Sequence, residues 1–149
     1  MNDRARPAEI LLVEDSPSDA ELTRVAIQEG KIDNNLHHVK DGAEAMAFLR
    51  REGPYASAPR PDLILLDLNL PKKSGLEVLR EIRSDPQLKS LVVTILTTSR
   101  DENDILDAYG LNVNAYITKP VDLKQFFQTI TSLDHFFLRV VTLPPNGTY

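Results

Sequence analysis

Residues able to bind a metal ion or a phosphoryl group follow four short apolar runs of this chain. They are Glu14 and Asp15 after the first run, Asp67 after the second, Thr97 after the third and Lys119 after the fourth. The carboxyl ends of parallel strands lie at one edge of a sheet, and open α/β sheets bind ligands there. If the runs are parallel strands, the sequence therefore places three carboxylates, a hydroxyl and an ammonium in one small area.

Each of these residues alone has a simpler structural explanation. An acid after a strand often caps a helix, threonine is common in strands, and a single lysine is usually solvated. Their joint placement is much less expected by chance, and it has an electrostatic consequence. Two carboxylates about 4 Å apart repel by roughly 4 kcal/mol at an effective dielectric constant of 20. Three acids together therefore require a cation or shifted pKa values.

The donor types favour Mg²⁺ and phosphoryl transfer. Oxygen ligands without histidine or cysteine suit a hard divalent ion, and Mg²⁺ commonly bridges to phosphate. Aspartate can act as a nucleophile and form an acyl phosphate. A phosphoryl group on one carboxylate would be held by the metal ion, the Lys119 ammonium and the Thr97 hydroxyl, which is an arrangement typical of phosphoryl transfer.

The second apolar run, Leu63 to Leu66, is enclosed by Pro61 and Pro71 and ends at Asp67. A run this short predicts a buried central strand rather than a helix. Five strands alternate with five helices along the chain, which predicts an α/β fold with a doubly wound parallel sheet covered on both faces. The predicted strands are 10–13, 36–39, 63–66, 91–96 and 115–118, and the predicted helices are 17–30, 43–51, 76–84, 102–111 and 123–138.

Composition limits the class of protein. The 149 residues suit one domain, with a core over about 9–138 and an extension over 139–149. The absence of cysteine excludes disulfides, thiol catalysis and cysteine-bound metals. The net charge of −5 argues against a nucleic-acid partner. Because the sequence contains no signal peptide and no membrane-spanning run, we expect a cytoplasmic protein without membrane contact.

Four motifs resemble the receiver domain of two-component response regulators. They are 13–16 (Val-Glu-Asp-Ser), 66–71 (Leu-Asp-Leu-Asn-Leu-Pro), 96–99 (Leu-Thr-Thr-Ser) and 116–120 (Tyr-Ile-Thr-Lys-Pro). The spacings from Asp67 to Thr97 and from Thr97 to Lys119 equal those of the chemotaxis response regulator. The resemblance covers about 9–138 and implies a five-stranded, flavodoxin-like (βα)5 sheet with strand order 2-1-3-4-5.

The resemblance also implies roles for the acids. Asp67 would accept the phosphoryl group from a phosphohistidine of a sensor histidine kinase. Asp15, Asp67 and the backbone carbonyl of Asn69 would bind Mg²⁺, and Glu14 would act through a metal-bound water. The protein would then be a phosphoacceptor switch rather than a turnover enzyme, with only self-catalysed phosphoryl transfer and slow self-dephosphorylation.

A second group of residues would bind the phosphoryl group and transmit its arrival. Thr97, followed by Thr98, would move to bond a phosphoryl oxygen, and Lys119 would pair with the phosphate. A cis peptide bond before Pro120 would aim the lysine. Tyr116 would turn inward as the switch, although its position also fits an ordinary half-buried aromatic of a strand.

A narrower resemblance concerns the loop 52–61, the segment 69–73 and the tail 136–145. These segments are similar to the small response regulators paired with cyanobacterial phytochromes, which implies a phytochrome-like kinase and an unidentified downstream protein as partners. Two positions depart from the wider family. Ser74 occupies a loop position where many members have Asp, and Asn112 occupies the end of the fourth helix where many have Gly. We expect Asn112 to form a left-handed helix cap.

The surface of the fourth helix, fifth strand and fifth helix is the expected output face. The fifth helix is apolar over more than one stripe. We expect Phe127 and Ile130 in the core, whereas the apolar residues beyond them exceed what a core needs. A surplus apolar patch predicts an interface, here of a symmetric homodimer. The predicted interface residues are Phe136, Phe137, Val140 and Val141.

Three other classes of function remain open at this point. A phosphatase of the haloacid-dehalogenase type also uses an aspartate after a strand, but it needs a second acid two residues later, where this chain has Asn69. A flavodoxin-like cofactor binder needs a phosphate-cradling loop after the first strand, where Glu14 and Asp15 would repel phosphate. A degenerate receiver could act as a binding module without being phosphorylated, although the acids, Thr97 and Lys119 are all present.

Overall fold

A computed structural model describes residues 6–30, 33–98, 110–129 and 133. Five parallel strands form one sheet in the order β2-β1-β3-β4-β5, which confirms the predicted doubly wound α/β fold and its strand order. The strands are β1 (Ala8–Val13), β2 (Asn34–Val39), β3 (Leu63–Asp67), β4 (Val93–Thr97) and β5 (Ala115–Thr118). Among these described residues, no helix is long and apolar enough to cross a membrane.

β3 lies at the centre of the sheet, and all of its residues are buried. It pairs with β1 on one side and with β4 on the other. Val13 at the end of β1 aligns with Leu66, and Asp67 aligns with Leu96. This register brings the carboxyl ends of three neighbouring strands to the same edge, as the apolar runs predicted.

Helices cover both faces of the sheet. They are α1 (Pro17–Glu29), α2 (Gly42–Arg50) and α3 (Gly75–Ser84), followed by a helix over 123–129, and a 3₁₀ turn spans Gly53–Tyr55. α2 and α3 pack on one face through a cluster that contains Leu11 and Ile64. α1 and the helix over 123–129 pack on the other face through a cluster that contains Leu12 and Phe126. Alternate strand residues thus serve opposite faces.

The helix over 123–129 corrects one core prediction. Phe127 was expected in the core, but its side chain is 52% exposed, and the neighbouring Phe126 is 1% exposed instead. Adjacent helical residues point about 100° apart, so a small error in helix phase exchanges an inward residue for an outward one. Ile130 and the predicted interface residues lie outside the described residues, as does most of the predicted fourth helix. The interface residues concerned are Phe136, Phe137, Val140 and Val141.

The two departures from the family pattern have structural consequences. Ser74, expected to be an ordinary loop residue, is the N-cap of α3 and forms a reciprocal capping box with Glu77. Asn112 was expected to be left-handed, but it is not among the residues with positive φ, and Gly110 has this conformation instead, with φ of 66°. Glycine adopts this conformation without a Cβ penalty, so the chain does not require asparagine to do so.

The start of α3 fixes the backbone at the end of β3. The Gly75 amide donates a hydrogen bond to the Leu68 carbonyl at 3.0 Å. A Cβ atom on Gly75 would lie 2.2 Å from the carbonyl oxygen of Asp67 and 2.6 Å from the Cα of Leu68. The loop after β3 can therefore fold onto the helix only because residue 75 has no side chain.

Candidate functional site

Acids from two strand ends meet at the carboxyl edge of the sheet. Glu14 and Asp15 follow β1 and Asp67 ends β3, and each offers a carboxylate oxygen within 4.8 Å of the other two. Glu14 and Asp67 are buried, with 0% and 3% exposure, whereas Asp15 is exposed to solvent. The structure thus brings together the three acids that the sequence singled out, with one ligand atom accessible from outside.

Glu14 is the most deeply buried acid of the group. Burial and the neighbouring Asp67 together raise the pKa of Glu14 to about 7, although Lys119 and the Ser16 amide act in the opposite direction. Its Oε1 atom lies 3.1 Å from the Lys119 ammonium, yet it forms no hydrogen bond to the described residues. A buried carboxylate oxygen without a hydrogen bond is unfavourable, so this position favours an additional positive group.

The Asp67 carboxylate is fixed through both of its oxygens. Oδ1 accepts a hydrogen bond from the Asn69 amide at 3.0 Å. Oδ2 lies 3.2 Å from the Lys119 ammonium nitrogen. The carboxylate is therefore oriented before any ligand binds, and Asn69 itself is exposed at the mouth of the site.

Lys119 lies opposite the acids and contacts three carboxylates. Its Nζ atom is 3.1 Å from Glu14, 3.2 Å from Asp67 and 2.8 Å from Asp19. Burial lowers the pKa of Lys119, but the hydrogen bonds to Asp19 and Glu14 and the charge of Asp67 outweigh burial, so its pKa is raised. The lysine therefore remains charged throughout the physiological pH range.

The backbone of Lys119 is held in place from two sides. Its amide donates to the Thr97 carbonyl at 2.7 Å, and the peptide bond to Pro120 is cis, as the resemblance implied.

The contact between Asp19 and Lys119 was not predicted from the sequence. The available signal was the position of Asp19 in the first turn of the helix that directly follows Glu14 and Asp15.

The residues expected to respond to phosphorylation lie on β4 and β5. Thr97 ends β4 and is buried, while Thr98 is exposed. Tyr116 is half-buried on β5 and packs against the cluster beneath α2 and α3. Tyr116 thus has the half-buried position that the sequence predicted for an aromatic residue of a strand.

The donor set fits a hard divalent cation. All three candidate ligands are carboxylates, and among the described residues this cluster contains no histidine. Mg²⁺, Ca²⁺ and Mn²⁺ prefer oxygen ligands of this kind. The oxygen of Glu14 without a hydrogen bond is a further observation that favours a bound cation.

Removal of the Lys119 charge should destabilise the metal-free protein. The ammonium is 10% exposed and neutralises two buried acids, so Lys119→Met would leave both of them uncompensated. We expect the unfolding free energy in EDTA to fall by about 2–3 kcal/mol. This is less than the cost of breaking a fully buried ion pair, because the site is partly open to solvent. Urea denaturation measures this, with Lys124→Met as the exposed control. An equal loss in the control variant would contradict the assignment.

Comparison with known proteins identifies the family. Residues 10–131 match the response regulator receiver domain. The response regulator Rcp1 of Synechocystis sp. is 48% identical over 145 residues, which cover 97% of this chain and 99% of Rcp1. A Mn²⁺-bound form of Rcp1 superposes with a TM-score of 0.75 at 49% identity, over 93% of this chain and 99% of that one.

Two solved phytochrome response regulators are also similar. The phosphorylated cyanobacterial phytochrome response regulator RcpA has a TM-score of 0.77 and 51% identity, covering 93% of this chain and 99% of its own. The bacteriophytochrome response regulator RtBRR has a TM-score of 0.82 and 48% identity, covering 86% of this chain and 78% of its own. With the acids of two strand ends gathered opposite a lysine, and with these matches along most of its length, the chain belongs to the response regulator receiver domain family.

Proposed function

We propose that Asp67 accepts a phosphoryl group from a sensor histidine kinase and that the protein signals through the resulting conformational change. The observation that carries this proposal is the orientation of the buried Asp67 carboxylate. It lies within 4.8 Å of two further acids and 3.2 Å from the Lys119 ammonium. A nucleophile placed between a cation-binding cluster and a fixed positive charge suits transfer of a negatively charged group.

The reaction exchanges one bond to phosphorus for another. A carboxylate oxygen of Asp67 forms the new O–P bond as the N–P bond to the donor histidine breaks, and the imidazole leaves with a proton from solvent. The Asn69 amide holds Oδ1 of Asp67 at 3.0 Å, and the Lys119 ammonium offers charge to the incoming oxygens. The product is an acyl phosphate with nearly two additional negative charges at this edge of the sheet.

The cation we propose is Mg²⁺. Asp15, Asp67 and the carbonyl of Asn69 would hold it, with Glu14 acting through a water. When bound, Mg²⁺ would neutralise phosphoryl oxygens in the transition state. The clustered carboxylates support this assignment, and the Mn²⁺-bound form of Rcp1 supports a divalent ion in a related protein.

Metal addition should stabilise the folded protein. At a concentration one hundred times the dissociation constant, Mg²⁺ should add about 2.7 kcal/mol to the unfolding free energy. Asp15→Asn should remove most of this gain, since it removes a proposed ligand, while Asp33→Asn changes net charge equally at an exposed position away from the cluster. Thermal denaturation with and without Mg²⁺ tests this, and an equal metal response in all three proteins would refute the assignment of Asp15.

The partner we propose is a phytochrome-type histidine kinase. The similarity to RcpA and RtBRR, both described as phytochrome response regulators, supports this pairing. Its downstream partner would be a further protein that binds the phosphorylated form. We propose no turnover of an external substrate, because Asn69 stands where a phosphatase would need its general acid.

The proposed output begins at Thr97 and Tyr116. Movement of the Thr97 hydroxyl toward the phosphoryl group would leave room for Tyr116 to turn inward, and this would change the surface near β5. Phosphorylation would bias an existing conformational equilibrium.

We also propose a homodimer. Its interface residues would be Phe136, Phe137, Val140 and Val141, which lie outside the described ranges. The mass of the protein in solution tests this proposal.

A labelling experiment tests the proposed function. Purified protein is incubated with a radiolabelled phytochrome-type histidine kinase, and separately with acetyl phosphate, in Mg²⁺ or in EDTA. We expect transfer of label to this chain in Mg²⁺ and none in EDTA. A label that survives treatment with base, which hydrolyses an acyl phosphate, would rule out the proposal. Equal labelling in EDTA would also rule it out.

A further inference from the structure

The Lys119 ammonium is surrounded by three carboxylates in this structure. An ammonium carries three N–H donors. Asp19 Oδ2 lies at 2.8 Å, Asp67 Oδ2 at 3.2 Å, and the nearest Glu14 oxygen at 3.1 Å from Nζ. The Nζ atom donates hydrogen bonds to Asp67 Oδ2 at 3.2 Å and to Glu14 Oε2 at 3.3 Å, and it forms its shortest ion pair with Asp19. A phosphoryl oxygen that enters the site must compete with these three carboxylates for the ammonium.

Asp19 is the contact that the site can release most easily. Its side chain is 27% exposed, whereas those of Glu14 and Asp67 are 0% and 4% exposed. Water can therefore solvate the Asp19 carboxylate once the lysine leaves, while the buried Glu14 and Asp67 would lose the ammonium that neutralises them. Asp19 is also outside the three-acid cluster that fits a metal ion.

The first turn of α1 leaves the Asp19 carboxylate available for this contact. The Asp19 amide donates to Ser16 Oγ, which is one half of a capping box. In the other half, an acid at this position accepts from the amide of the capping residue, as Glu77 does from Ser74 at the start of α3. At α1 the Ser16 amide donates to Glu14 instead, at 3.2 Å. The Asp19 carboxylate therefore binds Lys119 rather than its own helix.

We propose that Asp19 is a positioning residue that holds Lys119 in the unphosphorylated state and competes with the phosphoryl group for its ammonium. This inference rests on the proposed phosphorylation of Asp67. The phosphorylated state gains a Lys119–phosphoryl contact but loses the Lys119–Asp19 contact. Asp19 thereby lowers the affinity of the site for a phosphoryl group without touching that group.

Beryllium trifluoride, which binds to a carboxylate as a phosphoryl mimic, provides a reversible test. Its dissociation constant is measured in Mg²⁺ by ¹⁹F NMR for the wild-type protein, Asp19→Asn and Glu21→Gln. Glu21→Gln is the matched control, because it removes one charge from the same helix at a side chain that is 66% exposed and pairs with Arg24. We expect Asp19→Asn to bind beryllium trifluoride about fivefold more tightly, because the competing, partly exposed ion pair between Asp19 and Lys119 is lost. We expect Glu21→Gln to bind it like the wild type.

A spectroscopic signal separates positioning from a general effect on structure. The ammonium resonance of ¹⁵N-labelled Lys119, assigned with Lys119→Arg, should shift in free Asp19→Asn but not in free Glu21→Gln. Unchanged or weaker binding by Asp19→Asn, equal tightening by Glu21→Gln, or an unshifted Lys119 resonance would overturn the role of Asp19. If the wild-type protein itself binds no beryllium trifluoride, the assignment of Asp67 fails instead, so the two failures are distinguishable.

Discussion

Replacing Asp67 by asparagine should abolish phosphorylation while leaving the protein folded. The amide keeps the size of the carboxylate but removes the nucleophilic charge, so we expect labelling by acetyl phosphate or by a phosphohistidine donor to fall by at least about 100-fold. Asp67 is the single buried acid of the cluster that ends a strand and contacts Lys119. Quantified radiolabel on purified Asp67→Asn, with Asp33→Asn as the surface control, measures the loss.

The same variant carries its own test of folding. In EDTA the cluster holds several carboxylates within 4.8 Å of one another, and neutralising one of them relieves repulsion. We expect the unfolding free energy of metal-free Asp67→Asn to rise by about 1 kcal/mol, less than the unscreened repulsion because Lys119 compensates part of it. Persistent labelling of this stable variant would show that the phosphoryl group is accepted at another residue.

Adding a side chain at Gly75 should disrupt both the fold and the site. A Cβ atom would lie 2.2 Å from the carbonyl oxygen of Asp67, and backbone cannot move away as a flexible side chain could. We expect Gly75→Ala to lower the unfolding free energy by about 3 kcal/mol, at the upper end for overpacked positions. Because the displaced atom belongs to the backbone of the phosphoacceptor, labelling of the folded fraction should also decrease.

A second glycine separates steric overlap from backbone conformation. Gly53 has a positive φ of 57°, but a Cβ atom there would meet nothing within 4 Å. Gly53→Ala should therefore cost only the left-handed penalty, about 1–2 kcal/mol, and labelling should be unchanged. Urea denaturation and phosphoryl labelling of both variants measure these effects, and equal losses at the two positions would contradict the steric explanation for Gly75.

Local sequence patterns predicted the elements well because they depend on short-range properties. The fully apolar run that forms β3, the alternation of strands and helices, and the serine-proline start of α1 are visible without coordinates. The sheet order follows from the family resemblance and is confirmed. Which helix residues point into the core was harder to predict. Phe126 and Phe127 are equally apolar, and only packing against the sheet decides which of them is buried.

The sequence by itself determined which residues could do chemistry. Acids, a hydroxyl and a lysine follow four of the five predicted strands, and parallel pairing must bring the ends of those strands to one edge. Only the tertiary structure decided how these groups share their contacts. It buried Glu14 more deeply than Asp15, brought Asp19 to Lys119, and required a glycine at position 75. These outcomes depend on how strands, helices and loops pack against one another, and the local sequence pattern does not specify those distances.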